Sequence, residues 1–440
     1  MKQLFQLIKL KLKLIALCKN AHFCNANIEV LDINLQKAIS YKKQSGFSLI
    51  ELMVALVIGL IMSLAIYKVL TDFEGRKRTT NSVGSIDQAG TYALYQLDKK
   101  IRSAGSGFSA GVGTTKAADS TYGCQLNAVT GGVQMLPKTS AFTGAFSAVN
   151  TTIRLAPVII YDDAAGTAGI NGDVIITMAG NSGAAEVFTD LTGVASSSQL
   201  NVDNNLNFKA NNLVLVARKP VATAIQPCLI EQVATGFAPS ATATSVALSG
   251  TSYASTINSI ALTSYTANTL AVNLGQSPMF EMFAVGDNNI LFGYDLLKPY
   301  DATLTNATAN PAIVIEGAYQ MHALYGVDSD NNSITPSLTW VAPTGSYSAA
   351  NLLAGTVAAN TLLSTIKAIK VGLVTRTALL EKPNPDGTPV SGAAGATVTL
   401  FGNTSVPVTV TLANTNYRYR VSESIIPMRN ALMLENYIFN

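Results

Sequence analysis

Charge, cysteine and histidine are all scarce in this 440-residue chain. Charged residues make up 12% of it, about half the share usual in a soluble protein. It holds four cysteines, two histidines and one tryptophan. No CxxC pair and no Cys/His cluster occurs, so there is no zinc-ligand spacing. Walker A, HExxH and dinucleotide fingerprints are missing as well, and no cofactor is expected. Low charge also argues against disorder driven by self-repulsion. The charge there is falls unevenly. Residues 1–46 hold eight lysines and no arginine against Glu29 and Asp32, whereas the remainder is slightly acidic. The basic isoelectric point therefore belongs to the first tenth of the chain. A body without clustered Lys and Arg grips phosphate poorly, and no nucleic-acid contact is expected.

What the sequence does have is one long apolar run. From Phe47 to Ile66 there are twenty residues, and only Glu51 is charged. As a helix this run spans about 30 Å, the thickness of a bilayer's hydrocarbon core. Lys42 and Lys43 precede it, which by the positive-inside rule leaves the leader on the cytoplasmic side and the body beyond the membrane. Glu51 is the anomaly, because a carboxylate inside a spanning helix costs about 2.5–3.5 kcal/mol and needs a partner. A cut between Gly46 and Phe47 creates an α-amino group four residues before Glu51, on the same helix face. That amine can neutralise Glu51 or reach the same residue of a neighbouring subunit. An uncleaved single-pass anchor is the plainer alternative.

Lys42-Lys-Gln-Ser-Gly-Phe-Ser-Leu-Ile-Glu-Leu-Met-Val-Ala55 resembles the signal and cleavage site of type IV prepilins. The resemblance implies cleavage after Gly46 by a prepilin peptidase, N-methylation of Phe47, and a role for Glu51, the fifth mature residue, in assembly. Residues 1–46 are then a leader, removed. It is longer than most such leaders, with an apolar run of its own from Leu10 to Leu17 broken by Lys11 and Lys13.

Beyond Lys68 the apolar periodicity continues through Phe73, Val83, Ile86, Tyr92, Leu94, Tyr95, Leu97 and Ile101, as one buried helical face would. Gly75, Gly84 and Gly90 are expected weak points. The reading is one helix over 47–104, with its transmembrane half at 47–66, about 87 Å long at ideal rise. Its end, Asp98-Lys-Lys-Ile-Arg-Ser-Ala-Gly105 followed by Gly123-Cys124, resembles PilW-type minor pilins. So do Tyr325-Gly-Val-Asp328, Ile369-Lys-Val-Gly-Leu-Val-Thr-Arg376 and the Tyr417-Arg-Tyr-Arg tail.

Residues 105–440 read as a β-rich head. Short Val/Ile/Thr runs bounded by Gly, Asn, Asp and Pro include 158–161, 174–177, 213–216, 290–292, 313–315, 369–374, 398–400 and 408–410. Tyr417–Val421 alternates as an edge strand would. The Ala/Ser/Thr-rich stretch 238–275 reads as long surface loops or an inserted β layer. The fold class is α+β: a long helix, transmembrane then amphipathic, carrying a large antiparallel head of two sheets. An exported body invites a disulfide between Cys124 and Cys228, worth roughly 4–5 kcal/mol for a loop of that size. Two unpaired buried thiols are the alternative.

Candidate chemistry is thin. His322 lies among apolar residues and reads as a packed side chain. Gly107-Phe-Ser-Ala-Gly111 matches G-x-S-x-G but follows a helix, where that motif does not act. Asp328, Asp330 and Asn332 space oxygens as a calcium loop does. They lack its glycine and bidentate acid, and a hairpin turn explains them equally well.

The resulting expectation is a non-catalytic minor pilin that takes part in type IV pilus assembly. It sits single-pass in the inner membrane with its head in the periplasm, then enters the pilus at the cell surface. The resemblance implies as partners the prepilin peptidase, other major and minor pilins, the inner-membrane assembly platform and membrane lipid. A type II secretion pseudopilin and a membrane-tethered adhesin or binding module are the alternatives.

Overall fold

The computed structural model describes residues 48–109, 121–165, 172–182, 188–219, 225–300, 310–328, 338–384 and 386–433. They fall into two compact units, one up to Gly75 and one from Arg76 onward.

In the first unit, residues 49–75 belong to a helix that runs Leu49–Arg102, and every residue from 48 to 75 is exposed. From Leu49 to Ile66 the large exposed side chains are Leu, Ile, Val and Met on all sides. A helix that is apolar all round satisfies its own backbone but leaves its side chains in need of lipid or other helices. Among the described residues it is the one helix long and apolar enough to cross a membrane.

In the second unit the rest of that helix buries Ile86, Gly90, Ala93, Leu97 and Ile101. The steps of four, three, four and four make one face. This corrects the expected face in part. Tyr92 and Tyr95 sit one residue before and two after Ala93, roughly 100° and 200° around the helix, and are 50% and 62% exposed. Gly90 proves to be a contact rather than a weak point. A Cβ there would lie 3.3 Å from Ser422 Oγ and 3.6 Å from Thr375 Cγ2. The glycine and Ala93 thus let the helix lie close on a sheet. Lys99, Lys100 and Arg102 occupy the last turn, where cations suit the helix dipole. Asn430 then donates to the carbonyls of Ser103 and Ala104 at 3.2 and 3.1 Å, so a residue from the far end of the chain caps the helix.

The head has three main sheets rather than the two expected. The first orders its strands Val133–Leu136, Leu126–Thr130, Cys228–Gln232, Leu213–Arg218, Thr269–Gly275 and Phe188–Asp190. The second runs Ala312–Glu316, Ile290–Asp295, Met279–Gly286, Gly172–Ala179 and Val158–Ala165. The third runs Thr339–Val341, Ala318–Val327, Ile366–Arg376 and Tyr419–Pro427. Pairing is antiparallel except between Leu126–Thr130 and Cys228–Gln232, which run parallel. The alternating segment read as an edge strand does lie at the edge of the third sheet.

Three cores explain why three sheets are needed. Leu213, Leu215 and Ala217 point into the main core, while Val214 and Val216 point into a second. A strand buried on both faces reads as an unbroken apolar run, as this one does. The second core is closed by Val246, Leu248, Ile257, Leu262 and Tyr265. The stretch 238–275 therefore divides: up to Tyr265 it is an inserted β layer that covers the first sheet, and its end, Thr269–Gly275, is a strand of that sheet. A third, smaller core gathers Tyr319, Leu324, Val374, Leu400, Phe401 and Val410 between the third sheet and the hairpin of Thr397–Leu400 with Val408–Thr411.

Candidate functional site

Glu51 begins the apolar helix, and the structure gives it a local partner. Its carboxylate Oε2 accepts from Ser48 N–H at 3.1 Å, while its own N–H donates to Ser48 Oγ at 3.2 Å. This reciprocal capping pair satisfies two of the donors that a helix start leaves open. Reading Glu51 as a lone charge passed over the Ser-x-x-Glu spacing, which was the signal for it. Gly46 and Phe47 lie outside the described residues.

Cys124 and Cys228 form a disulfide across 104 residues, with Cα atoms 5.7 Å apart. Cys228 opens a strand that pairs in parallel with Leu126, two residues past Cys124. Parallel neighbours need a long connection, and here the bond closes that connection at its mouth. Both cysteines are buried in the main core.

Of the oxygens read as a weak calcium set, Asp330 and Asn332 lie outside the described residues. Asp328 is buried at the end of a strand, where its N–H donates to Thr365 O at 2.9 Å. The strands on either side, Ala318–Val327 and Thr339–Val341, pair as a hairpin, which accounts for the Asp/Asn enrichment.

A different cluster, not foreseen, gathers around His322. Its Nδ1 lies 3.2 Å from Asp173 Oδ1, and its Nε2 lies 3.3 Å from Gln320 Oε1. Asp173 also accepts from Asp163 N–H at 3.2 Å and from Ala323 N–H at 2.8 Å. Asp163, Asp173 and His322 hold their ligand atoms within 4.8 Å of one another, a donor set that suits a divalent cation. Both Asp173 oxygens already accept protons, so the arrangement works as a hydrogen-bonded joint between the second and third sheets. Burial acts to lower the imidazole's pKa, but the Asp173 hydrogen bond and the charges of Asp173, Asp163 and Asp162 outweigh it and raise it. Burial and the neighbouring Asp173 and Asp163 push Asp162 up to about 6. No sequence signal joins residues 149 positions apart.

Ser109, from the G-x-S-x-G match, is buried. Its hydroxyl donates to Gly105 O at 2.7 Å and meets Tyr122 Oη at 2.9 Å, which are structural contacts. Ala110 and Gly111 lie outside the described residues. Glu231 is a third buried acid, beside Asp173 and Asp328. Its Oε2 accepts from Ala254 N–H at 3.1 Å, and among the described residues nothing donates to Oε1. Burial pushes this carboxyl up to about 8.

On the head's surface, a cleft of about 270 Å³ is lined by Tyr92, Gln96 and Lys100 of the helix and by strand residues including Glu281, Phe283 and Ile313. Lys100 and Glu281 close its wall with an ion pair at 2.6 Å. Tyr92, Tyr95 and Ile313 stand exposed around it.

Comparison with known proteins bears on both units. Residues 41–67 match the prokaryotic N-terminal methylation motif, and residues 285–430 match Type IV Pilus-assembly protein W. No curated protein and no solved structure matches the chain. The second match takes in the whole third sheet and the Asn430 cap, and the first covers the start of the exposed apolar helix. That helix, with this motif at its head, is consistent with a membrane anchor. The two matches together support a role in type IV pilus assembly. The chain thus joins a prepilin-type methylation motif at residues 41–67 to a region, residues 285–430, that matches the PilW family of type IV pilus-assembly proteins.

Proposed function

We propose that this protein is a non-catalytic minor pilin. Residues 1–46 are a leader that prepilin peptidase removes between Gly46 and Phe47, and Phe47 is then N-methylated. The helix from Phe47 to about Ala104 first holds the subunit in the inner membrane, with the head of 105–440 in the periplasm. It then packs among other pilin helices as the assembly platform moves the subunit into the pilus. The observation that carries this reading is the exposed helix of residues 49–75, whose stretch from Leu49 to Ile66 carries no charge but Glu51. Lipid covers such a surface first, and neighbouring helices cover it afterwards.

Glu51 fits both stages. In the precursor the Ser48 cap provides for the carboxylate. Cleavage adds a positive amine four residues before it, one helical turn away, where it can neutralise the acid within a subunit or between subunits. The three-sheet head is bulky, which favours a place at or near the filament tip. A type II secretion pseudopilin shares the same processing, and a membrane-tethered adhesin does not require it.

Mass spectrometry of the protein purified from the cell envelope tests the reading. A mature chain that starts at N-methylated Phe47 is the expected result, and one that still carries residues 1–46 overturns it. Gly46→Leu is expected to leave full-length precursor in the membrane.

A further inference from the structure

Lys370 lies in the strand Ile366–Arg376, on the face opposite Ile369 and Val371, and its side chain is only 3% exposed. A buried ammonium has three protons to place. Here Nζ donates to Asn403 Oδ1 at 2.5 Å, lies 3.2 Å from Glu423 Oε2, and faces the ring of Phe401 at 5.5 Å. With Lys370 itself, these groups come from three separate elements. Glu423 sits on the neighbouring strand opposite Gly372, two residues beyond Lys370 and so on the same face. Asn403 belongs to the turn that joins Thr397–Leu400 to Val408–Thr411.

The turn is held over Lys370 by specific means. Phe401 N–H donates to Glu423 Oε1 at 2.6 Å. Phe401 itself has φ +59, the left-handed region that a bulky L-residue rarely occupies. Its ring is fully buried against Gly372, where a Cβ would come within 2.9 Å of it. A strained residue and a glycine together bring a carboxamide onto a buried amine, with a carboxyl group on that amine as well.

An amine in contact with both a carboxamide and a carboxyl group, with water held off the amine, supplies the parts of an acyl transfer. We propose that Lys370 and Asn403 form an intramolecular isopeptide bond, with Glu423 as the catalytic proton carrier. Glu423 takes a proton from the Lys370 ammonium, and the free amine attacks Asn403 Cγ. The attacking nitrogen sheds a second proton through Glu423 to Nδ2, and the Cγ–Nδ2 bond breaks. Ammonia leaves with the first proton as ammonium, and Glu423 ends as the carboxylate it was. No oxidant or cofactor enters. Asn403 is exposed, which gives the departing ammonia a way out. The bond closes a 33-residue segment and ties the outer hairpin to the third sheet. Reductant leaves such a link intact, unlike Cys124–Cys228.

This proposal stands apart from the pilin reading and is tested separately, on the full chain purified in detergent. After reduction, the intact mass is expected to be lower than the chain's own by one ammonia. Digestion is expected to yield a branched peptide that joins Lys370 to Asn403. Asn403→Ala, in an exposed turn, and Glu423→Gln, which keeps an acceptor for Phe401 N–H, are each expected to restore separate peptides. A wild-type chain at full mass, with the two residues recovered in separate peptides, overturns the bond and leaves an ion-paired lysine. A branched peptide that persists in Glu423→Gln overturns the role of Glu423.

Discussion

Asp173 and His322 meet at 3.2 Å across the joint between the second and third sheets. The imidazole also faces Asp162, Asp163 and Gln320. Its pKa is raised in the folded protein, so its stabilising effect is full below the ordinary histidine value. That effect is lost as pH rises through the folded value. Asp162, raised to about 6, has the same sign: folding favours its protonated form, and stability falls as pH climbs from the ordinary carboxylate value toward 6. His322→Gln is therefore expected to lower stability by about 2 kcal/mol below pH 6 and by less above pH 8. Thermal melts over that range are the measurement, and a pH-independent loss would refute the pairing.

Glu231 presents a simpler case. Its carboxyl is buried and raised to about 8, so the folded state holds a proton that the unfolded chain releases from about pH 4.5 upward. Stability is expected to decline over that interval. Glu231→Gln keeps an acceptor for Ala254 N–H and removes the titration, so it is expected to stabilise the protein by up to about 3 kcal/mol at pH 7. The gain should vanish near pH 4, as read from denaturant midpoints at the two pH values.

At Gly90 the helix lies against the third sheet, where an added Cβ would meet Ser422 Oγ at 3.3 Å. Gly90→Leu is expected to force the helix away from Ser422 and Thr375 and to cost roughly 1–3 kcal/mol. The same change at Gly84, where an added Cβ meets nothing, is expected to be neutral or slightly stabilising. Denaturation of the two variants side by side separates contact from helix propensity.

Glu51→Ala removes the carboxylate from both its partners, the Ser48 cap and the amine proposed at Phe47. Membrane insertion and leader removal are expected to survive, because neither needs the acid. Incorporation into pili is expected to fall at least tenfold, about 1.4 kcal/mol in the packing equilibrium. Immunoblots of sheared pili and of membranes measure both quantities, and normal incorporation would contradict the pairing.

Much of this molecule can be read in its order of residues, because much of it rests on local rules. A run of twenty residues with a single charge, after paired lysines, makes a bilayer-length helix wherever it occurs. Val/Ile/Thr runs between turn formers make strands, and the strands fall where those runs lie. The two cysteines of the body, Cys124 and Cys228, form the expected disulfide. What could not be read depends on which elements meet. Tyr92 and Ile86 look equally suited to a buried face, and only the sheet beneath Gly90 selects between them. The Ala/Ser/Thr stretch becomes a layer because the outer face of the first sheet offers it Val214 and Val216 to cover. Asp173 with His322, and Lys370 with Asn403 and Glu423, are polar pairings across distant strands. Their meeting is decided by register and packing, for which neither spacing nor composition carries a signal.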